Sequence, residues 1–285
     1  MVAFPERDEY TVASTVKRGG TMTVTRAQLK QLRDLTRKKG REETGTFIVE
    51  GVRLVREALH SSFPVLECYH TVEAAAQPSV APLIEMARAR SLSVVTLSAR
   101  DMDSVSDTVT AQGLLAVVRQ QHPSLEKVVQ QTPGESILLA LDGVGDPGNL
   151  GSIIRTSDWF GAHGVLVGRK SVDLYNPKVV RSTMGSLFHI PVVTEVDLLA
   201  ALSHARESGY TIYGADLDGE THFDRVRFAH KAVIVLGNEA WGLSDPVRAL
   251  TDIRVTIRRY GSAESLNVGV ACGILLSGVH RLLDQ

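Results

Sequence analysis

Apolar positions fall into two alternating series separated by a polar stretch. Residues 27–39 space Leu29, Leu32 and Leu35 three apart with basic residues between them, which predicts an amphipathic helix with a charged outer face. The stretch 46–50, closed by Gly51, predicts a short strand, and residues 52–59 a helix. Strand, helix and strand are then expected at 65–69, 82–90 and 93–97, with a buried strand at 113–118. Residues 21–121 thus read as a small α/β domain preceded by a polar arm, residues 1–20, that ends on Gly19 and Gly20. Residues 122–135 are polar and hold Pro123, Pro133 and Gly134, the composition of a linker. From 136 to 285 the alternation restarts. Strands are expected at 137–141, 164–167, 190–193, 211–215, 232–236 and 254–257, and helices at 153–160, from 177, at 198–207 and at 266–283. Continuous apolar runs of this kind belong to parallel strands buried on both faces, so the second domain predicts an α/β fold around a parallel sheet.

Composition narrows the class. Hydrophobic residues make up 44% and charged residues 22%, which fits a globular chain and excludes a disordered or fibrous one. The net charge of −1 selects no partner, but its distribution is uneven. Residues 17–41 carry nine Lys or Arg against one acid, Asp34, and the balance reverses between 101 and 150. Such a block suits phosphate contact and equally suits a solvated helix face. The two cysteines, Cys68 and Cys272, lie far apart and offer neither a disulfide framework nor metal-ligand spacing, so no metal is expected and a reducing compartment is the default. The first twenty residues lack an apolar core of signal-peptide type, and no apolar run approaches membrane-spanning length. A soluble, cytoplasmic protein is the expectation.

Three separated segments carry candidate chemistry. In the first, Asp142 to Thr156, a glycine-rich loop leaves a strand and enters a helix, with Asn149 near the cap and Arg155 within an otherwise apolar segment. Gly143, Gly145 and Gly148 also fit the GxGxxG spacing of a dinucleotide site. An Asp-Pro turn falls where that motif enters its helix, and the next strand ends in Arg169 and Lys170 rather than an acid, which leaves only an NADP enzyme open. In the second segment an apolar strand runs into Gly237, Asn238 and Glu239, placing a carboxylate at the ligand-binding edge of a sheet. Gly237 would admit a close backbone approach by a ligand. In the third, Ser265, Leu266 and Asn267 open a helix of small residues, Gly269, Ala271 and Gly273, suited to close packing. Taken singly, Asn149 and Ser265 also read as helix caps, Arg155 as an ion-pair partner and Gly237 as a strand exit.

Together the segments resemble the SpoU (TrmH-type) family of RNA ribose methyltransferases. The resemblance is carried by Asn-Leu-Gly-x-x-x-Arg-Thr at 149–156, Leu-Gly-x-Glu-x-x-Gly-Leu at 236–243 and Ser-Leu-Asn-Val at 265–268. Asn176-Pro177-Lys178 and Met184-Gly185-Ser186 resemble the segment this family places between the first two motifs. Upstream, the basic stretch 30–41 followed by Phe47 to Gly51, Leu54, Val55, Glu57 and Ala58 is similar to the family's N-terminal substrate-binding domain, a fold shared with certain ribosomal proteins. One departure is Arg258, where many members carry proline.

The resemblance implies a catalytic domain with a deep trefoil knot, a topology otherwise rare, and a homodimer with the active site near its two-fold axis. It implies S-adenosylmethionine as cofactor, held by Leu236, Gly237, Ile257, Ser265 and Leu266. It assigns Arg155 to activating a ribose 2′-hydroxyl, with Asn149, Glu239, Ser265 and Asn267 completing the site. A free guanidinium has a pKa above about 12, so stabilising the developing alkoxide suits Arg155 better than literal proton abstraction. Arg26, Lys30, Arg33, Arg37, Lys38, Lys39 and Arg41 would bind RNA through phosphates, with 23S ribosomal RNA preferred over tRNA. Some members of that branch confer antibiotic resistance. A non-catalytic RNA-binding protein of the same fold and the NADP oxidoreductase are the competing readings.

Overall fold

The computed structural model describes residues 16–18, 21–108, 111–130 and 134–283. Of the polar arm expected over residues 1–20, only 16–18 fall among them. The chain divides into two compact units, one made of residues 1–121 and 175–188 and the other of 122–174 and 189–285. Among the described residues, no helix is long and apolar enough to cross a membrane.

The first unit holds a mixed sheet of six strands among the described residues: β1 (Val16–Arg18), β2 (Thr21–Thr23), β3 (Thr46–Glu50), β4 (Val65–Thr71), β5 (Ser93–Leu97) and β6 (Leu114–Arg119), in the order β1-β2-β5-β4-β6-β3. β4 and β5 run parallel, while β6 pairs antiparallel with both β3 and β4. Leu32 and Leu35 bury against Ile48, Tyr69, Val95 and Leu115, so the leucine spacing finds the core it predicts. The single helix expected over 27–39 is two, Arg26–Leu35 and Lys38–Thr44. Thr25 and Gln28 form a reciprocal capping box at the start of the first. Its end is set by Thr36, whose hydroxyl donates to the Arg33 carbonyl at 2.7 Å and competes with the helical ladder there.

The segment Tyr175–Phe188 belongs to this first unit although its sequence lies inside the expected catalytic domain. The Tyr175 ring packs 4.5 Å from Phe47, and its hydroxyl donates to the Gln121 carbonyl at 2.7 Å. Arg181 pairs with Asp107 at 2.6 Å.

In the second unit, seven strands among the described residues form an all-parallel sheet: β7 (Ser136–Asp142), β8 (Gly164–Gly168), β9 (Val192–Val196), β10 (Thr211–Ala215), β11 (Thr221–His222), β12 (Lys231–Gly237) and β13 (Ile253–Thr256). Their order is β11-β13-β10-β12-β7-β8-β9. β7 is buried along its whole length, and β12 from Ala232 to Leu236, as continuous apolar runs require. One face is covered by the helix Leu198–Glu207, which packs on Leu138, Ala140, Leu166, Val233 and Val235. Within the stretch expected as a linker, the helix Leu125–Gln130 buries Val128 and Val129 in this same core. After β13 the chain crosses back to pack the helix Val268–Leu283 against the helix Pro147–Trp159. Small residues bring the two together: a Cβ at Gly269 would stand 3.5 Å from Ser152 Cβ, and one at Gly273 3.7 Å from Thr156 Cγ2.

Candidate active site

The carboxyl ends of β7 and β12 lie side by side, with Asp142 in register with Gly237. The buried Asp142 carboxylate accepts the Ser244 N–H at 2.7 Å, and Asn238 Nδ2 donates to the Gly143 carbonyl at 2.6 Å. The loop after β12 closes on itself, since Asn238 and Gly242 exchange backbone hydrogen bonds of 2.9 and 3.0 Å. Gly237 is essential to that closure, because a Cβ there would stand 2.2 Å from Gly242 C and 2.4 Å from Leu243 N. What the missing side chain admits is therefore the protein's own loop, where the sequence suggested a ligand.

Closure directs Glu239 onto the glycine loop after β7. Its Oε2 accepts the Gly145 N–H at 3.3 Å, while Oε1 accepts the Asp146 N–H at 3.4 Å and Asn149 Nδ2 at 2.9 Å. Asn149 Oδ1 in turn accepts Asn267 Nδ2 at 2.9 Å. Asn267 Oδ1 accepts the N–H groups of Gly269 at 2.9 Å and Val270 at 3.2 Å, capping the Val268–Leu283 helix. Three motifs spread over the chain thus meet in one line of hydrogen bonds. Partial burial opposes ionisation of Glu239, but the bonds from Asn149, Gly145 and Asp146 outweigh it and hold the carboxyl below its ordinary range.

Several site expectations change in detail. The helix begins at Pro147 with Asp146 as its cap, its carboxylate accepting the Asn149 N–H at 2.9 Å, so Asn149 lies in the first turn. The Asp-Pro pair is the helix entry itself, an N-cap followed by proline at the first helical position. Asn267, not Ser265, caps the last helix. Arg155 stands on the exposed side of the Pro147–Trp159 helix and, among the described residues, makes no hydrogen bond to Asn149 or Glu239. Ser265 is exposed and likewise outside the line of bonds. Leu236 has its side chain sealed in the core and can offer a ligand only its main chain, while Ile257 is half-buried and Leu266 is 44% exposed.

Residues 258–266 fit the cofactor the sequence points to. They are exposed, and among the described residues their main-chain polar groups make no backbone–backbone hydrogen bond. Main-chain donors and acceptors beside the apolar Ile257 and Leu266 are what a flat, polar-edged nucleoside requires. Among the described residues no group of three His, Cys, Asp or Glu could hold a metal ion.

On the first unit, Arg26, Lys30, Arg33, Arg37, Lys38 and Lys39 are exposed. Arg33 donates to Ser104 Oγ at 3.0 Å, while Lys38 and Lys39 pair with Glu42 and Glu43 at 3.6 and 3.7 Å. Arg41 differs. It is 3% exposed and its guanidinium donates to the Leu35 carbonyl at 2.9 Å, which makes it an internal clamp rather than an RNA contact. Sequence reasoning missed Asp142, Asp146 and Asn238; an Asp directly before Pro was the available signal for the second.

Residues 136–277 match the SpoU rRNA Methylase family, and residues 26–116 match an MRM3-like substrate binding domain. The chain is 33% identical over 249 residues to a protein of Bacillus subtilis (strain 168) named 23S rRNA (guanosine(2553)-2′-O)-methyltransferase RlmP, covering 87% of this chain and 94% of that one. Among solved structures it is similar to the SpoU methyltransferase AviRb from Streptomyces viridochromogenes in complex with AdoMet, with a TM-score of 0.80, 27% identity, and coverage of 92% and 99% of the two chains. It is similar to an AdoMet-bound rRNA methyltransferase from Sinorhizobium meliloti as well, with a TM-score of 0.80, 28% identity, and coverage of 92% and 97%.

Proposed function

From the premise that the chain belongs to the SpoU rRNA methylase family, we propose that it methylates a ribose 2′-hydroxyl of RNA with S-adenosylmethionine, and that its substrate is 23S ribosomal RNA. The observation that carries the reading is the hydrogen-bonded line Glu239–Asn149–Asn267, which joins all three motifs at the carboxyl edge of the sheet. The same line argues against a dinucleotide enzyme. The N–H groups of Gly145 and Asp146, where a pyrophosphate would sit, already bind the Glu239 carboxylate.

S-adenosylmethionine supplies, when bound, an electrophilic methyl group on a sulfonium that departs as a neutral thioether. The main chain of Leu236 and Gly237, and Ile257, Ser265 and Leu266, would hold it. The protein's part is to present the ribose oxygen for an in-line approach and to favour loss of its proton. Arg155, exposed and cationic, would bind the adjoining phosphate and stabilise the developing alkoxide while the proton passes to that phosphate. Asn149, Glu239 and Asn267 would keep the helix that bears Arg155 in register with the cofactor loop, and Ser265 would hydrogen-bond the substrate.

The remainder of the reading follows the family. The return of the chain from β13 to the Val268–Leu283 helix would thread a trefoil knot. The exposed Val270 and Trp159 on the two packed helices would lie in a homodimer interface. The first unit would hold ribosomal RNA with the six exposed cations named above, and the chain would act in the cytoplasm, some members of its branch sparing ribosomes from antibiotics. The experiment is methyl transfer from labelled S-adenosylmethionine to unmodified 23S transcript, with the product mapped by mass. Arg155→Ala should lose about 100- to 1,000-fold in kcat while still binding S-adenosylmethionine; an undiminished rate would remove Arg155 from the mechanism.

A further inference from the structure

We infer that Trp241 and Lys170 form a stacking and phosphate site for the nucleotide next to the target ribose; the inference rests on the RNA reading above. The two residues come from different loops, and both approach Gly143. A Cβ built on Gly143 would stand 3.8 Å from Trp241 Cζ2, 3.8 Å from Lys170 Cβ and 3.9 Å from Asn238 Cβ. Gly143 has φ +81° and its carbonyl is held by Asn238, so the floor between them is fixed backbone without a side chain. The Trp241 ring rests an edge there and is 63% exposed.

An exposed tryptophan alone is ordinary surface. Trp241 differs in its mounting and its neighbours. It lies within the closed loop from Asn238 to Gly242, pinned by two backbone bonds and by the Ala240 N–H on Asn238 Oδ1 at 2.7 Å. The backbone that carries the ring is held in place, so less freedom remains to be lost when a flat partner stacks on it. Glu239, two residues earlier in the same loop, binds the Asn149 end of the site. Lys170 is exposed and, among the described residues, makes no ion pair, whereas its neighbour Arg169 faces Asp197 at 3.6 Å.

A π-face beside a free ammonium is the pairing that binds single-stranded RNA, the base on the ring and the phosphate on the cation. A ribose can be reached at its 2′-oxygen only where the strand is splayed, and a splayed strand leaves neighbouring bases unstacked. Trp241 would receive one of them and Lys170 the phosphate beside it. The ring then contributes to RNA affinity and leaves cofactor affinity alone.

The test is steady-state methylation of unmodified 23S transcript by the full chain. Trp241→Ala should raise KM for RNA about tenfold or more, with KM for S-adenosylmethionine and kcat within about twofold. Trp241→Phe should recover most of the loss, and Lys170→Ala should flatten the dependence of log Kd on log salt by about 0.7. An unchanged KM for RNA, or an equal rise in KM for the cofactor, overturns the site. Fluorescence of Trp159→Phe, in which Trp241 is the sole tryptophan, gives a second reading independent of how the alanine variant folds. The transcript should quench it and S-adenosylmethionine alone should not; absence of quenching by saturating transcript overturns the site. A wild-type chain that transfers no methyl group defeats the proposed function, and the stacking site then stands or falls on the quenching alone.

Discussion

Replacing Gly237 by alanine probes the contact on which the site's construction depends. The added methyl carbon would stand 2.2 to 2.4 Å from main-chain atoms of Gly242 and Leu243, and backbone cannot swing aside as a flexible side chain does. If the loop holds, the overpacking costs about 1–3 kcal/mol. If it yields, the two Asn238–Gly242 backbone bonds are lost at about 1 kcal/mol each. Both routes lead to about 2 kcal/mol. Urea unfolding followed by far-ultraviolet circular dichroism reports the change. Methyl transfer should fall with it, because Glu239 is carried on the displaced loop. Gly145→Ala is the control: a Cβ there meets nothing within 4 Å, so its stability should stay within about 0.5 kcal/mol of wild type. A Gly237→Ala protein with an unshifted midpoint and normal cofactor affinity would refute the close approach.

The other perturbations act on charge and burial. Glu239 has its carboxyl held below the ordinary range by hydrogen bonds that outweigh partial burial, so the stability it contributes is complete above the unfolded value and disappears as pH falls through the lower folded one. Glu239→Gln should therefore lessen the acid sensitivity of the urea midpoint, and an unaltered pH profile would count against the network. Burial pushes the thiols of Cys68 and Cys272 up to about 12, so neither should react with a disulfide reagent at neutral pH until the chain is denatured. Arg41→Ala should destabilise the first unit by about 2 kcal/mol through its lost bond to Leu35 and its buried stem, with RNA affinity per folded molecule unchanged.

Much of the framework was legible in the chain. Strands 93–97 and 211–215 and helices 177–182 and 198–207 stand where periodicity puts them, because each is bounded by strong breakers or caps. The broken helix at Thr36 was hidden, since one hydroxyl directed at a carbonyl leaves the leucine spacing intact. The division of the chain was hidden for a different reason. Residues 175–188 read as part of the second domain by position, and tertiary packing, such as that of Tyr175 on Phe47, Phe188 on Phe63 and Arg181 on Asp107, assigns them to the first unit. At the site, the motifs named Asn149, Glu239 and Asn267, whereas the bonds that order them depend on the loop closure that Gly237 permits.

The glycine loop after β7 explains why one sequence could suggest two chemistries. A strand running through glycines into a helix start gathers backbone N–H groups, and such a nest attracts an anion whatever its source. In a dinucleotide enzyme the anion is the ligand. Here it is Glu239, delivered from the neighbouring strand end. Filling the nest from within fixes Asn149 as well. Its amide nitrogen must face the carboxylate and its oxygen must face the Asn267 amide, so only one orientation of the side chain satisfies both neighbours. The glycines therefore serve the protein's own carboxylate. They hold a carboxylate that orients an asparagine, and the asparagine ties the helix bearing Arg155 to the loop that ends in Leu266 and Asn267.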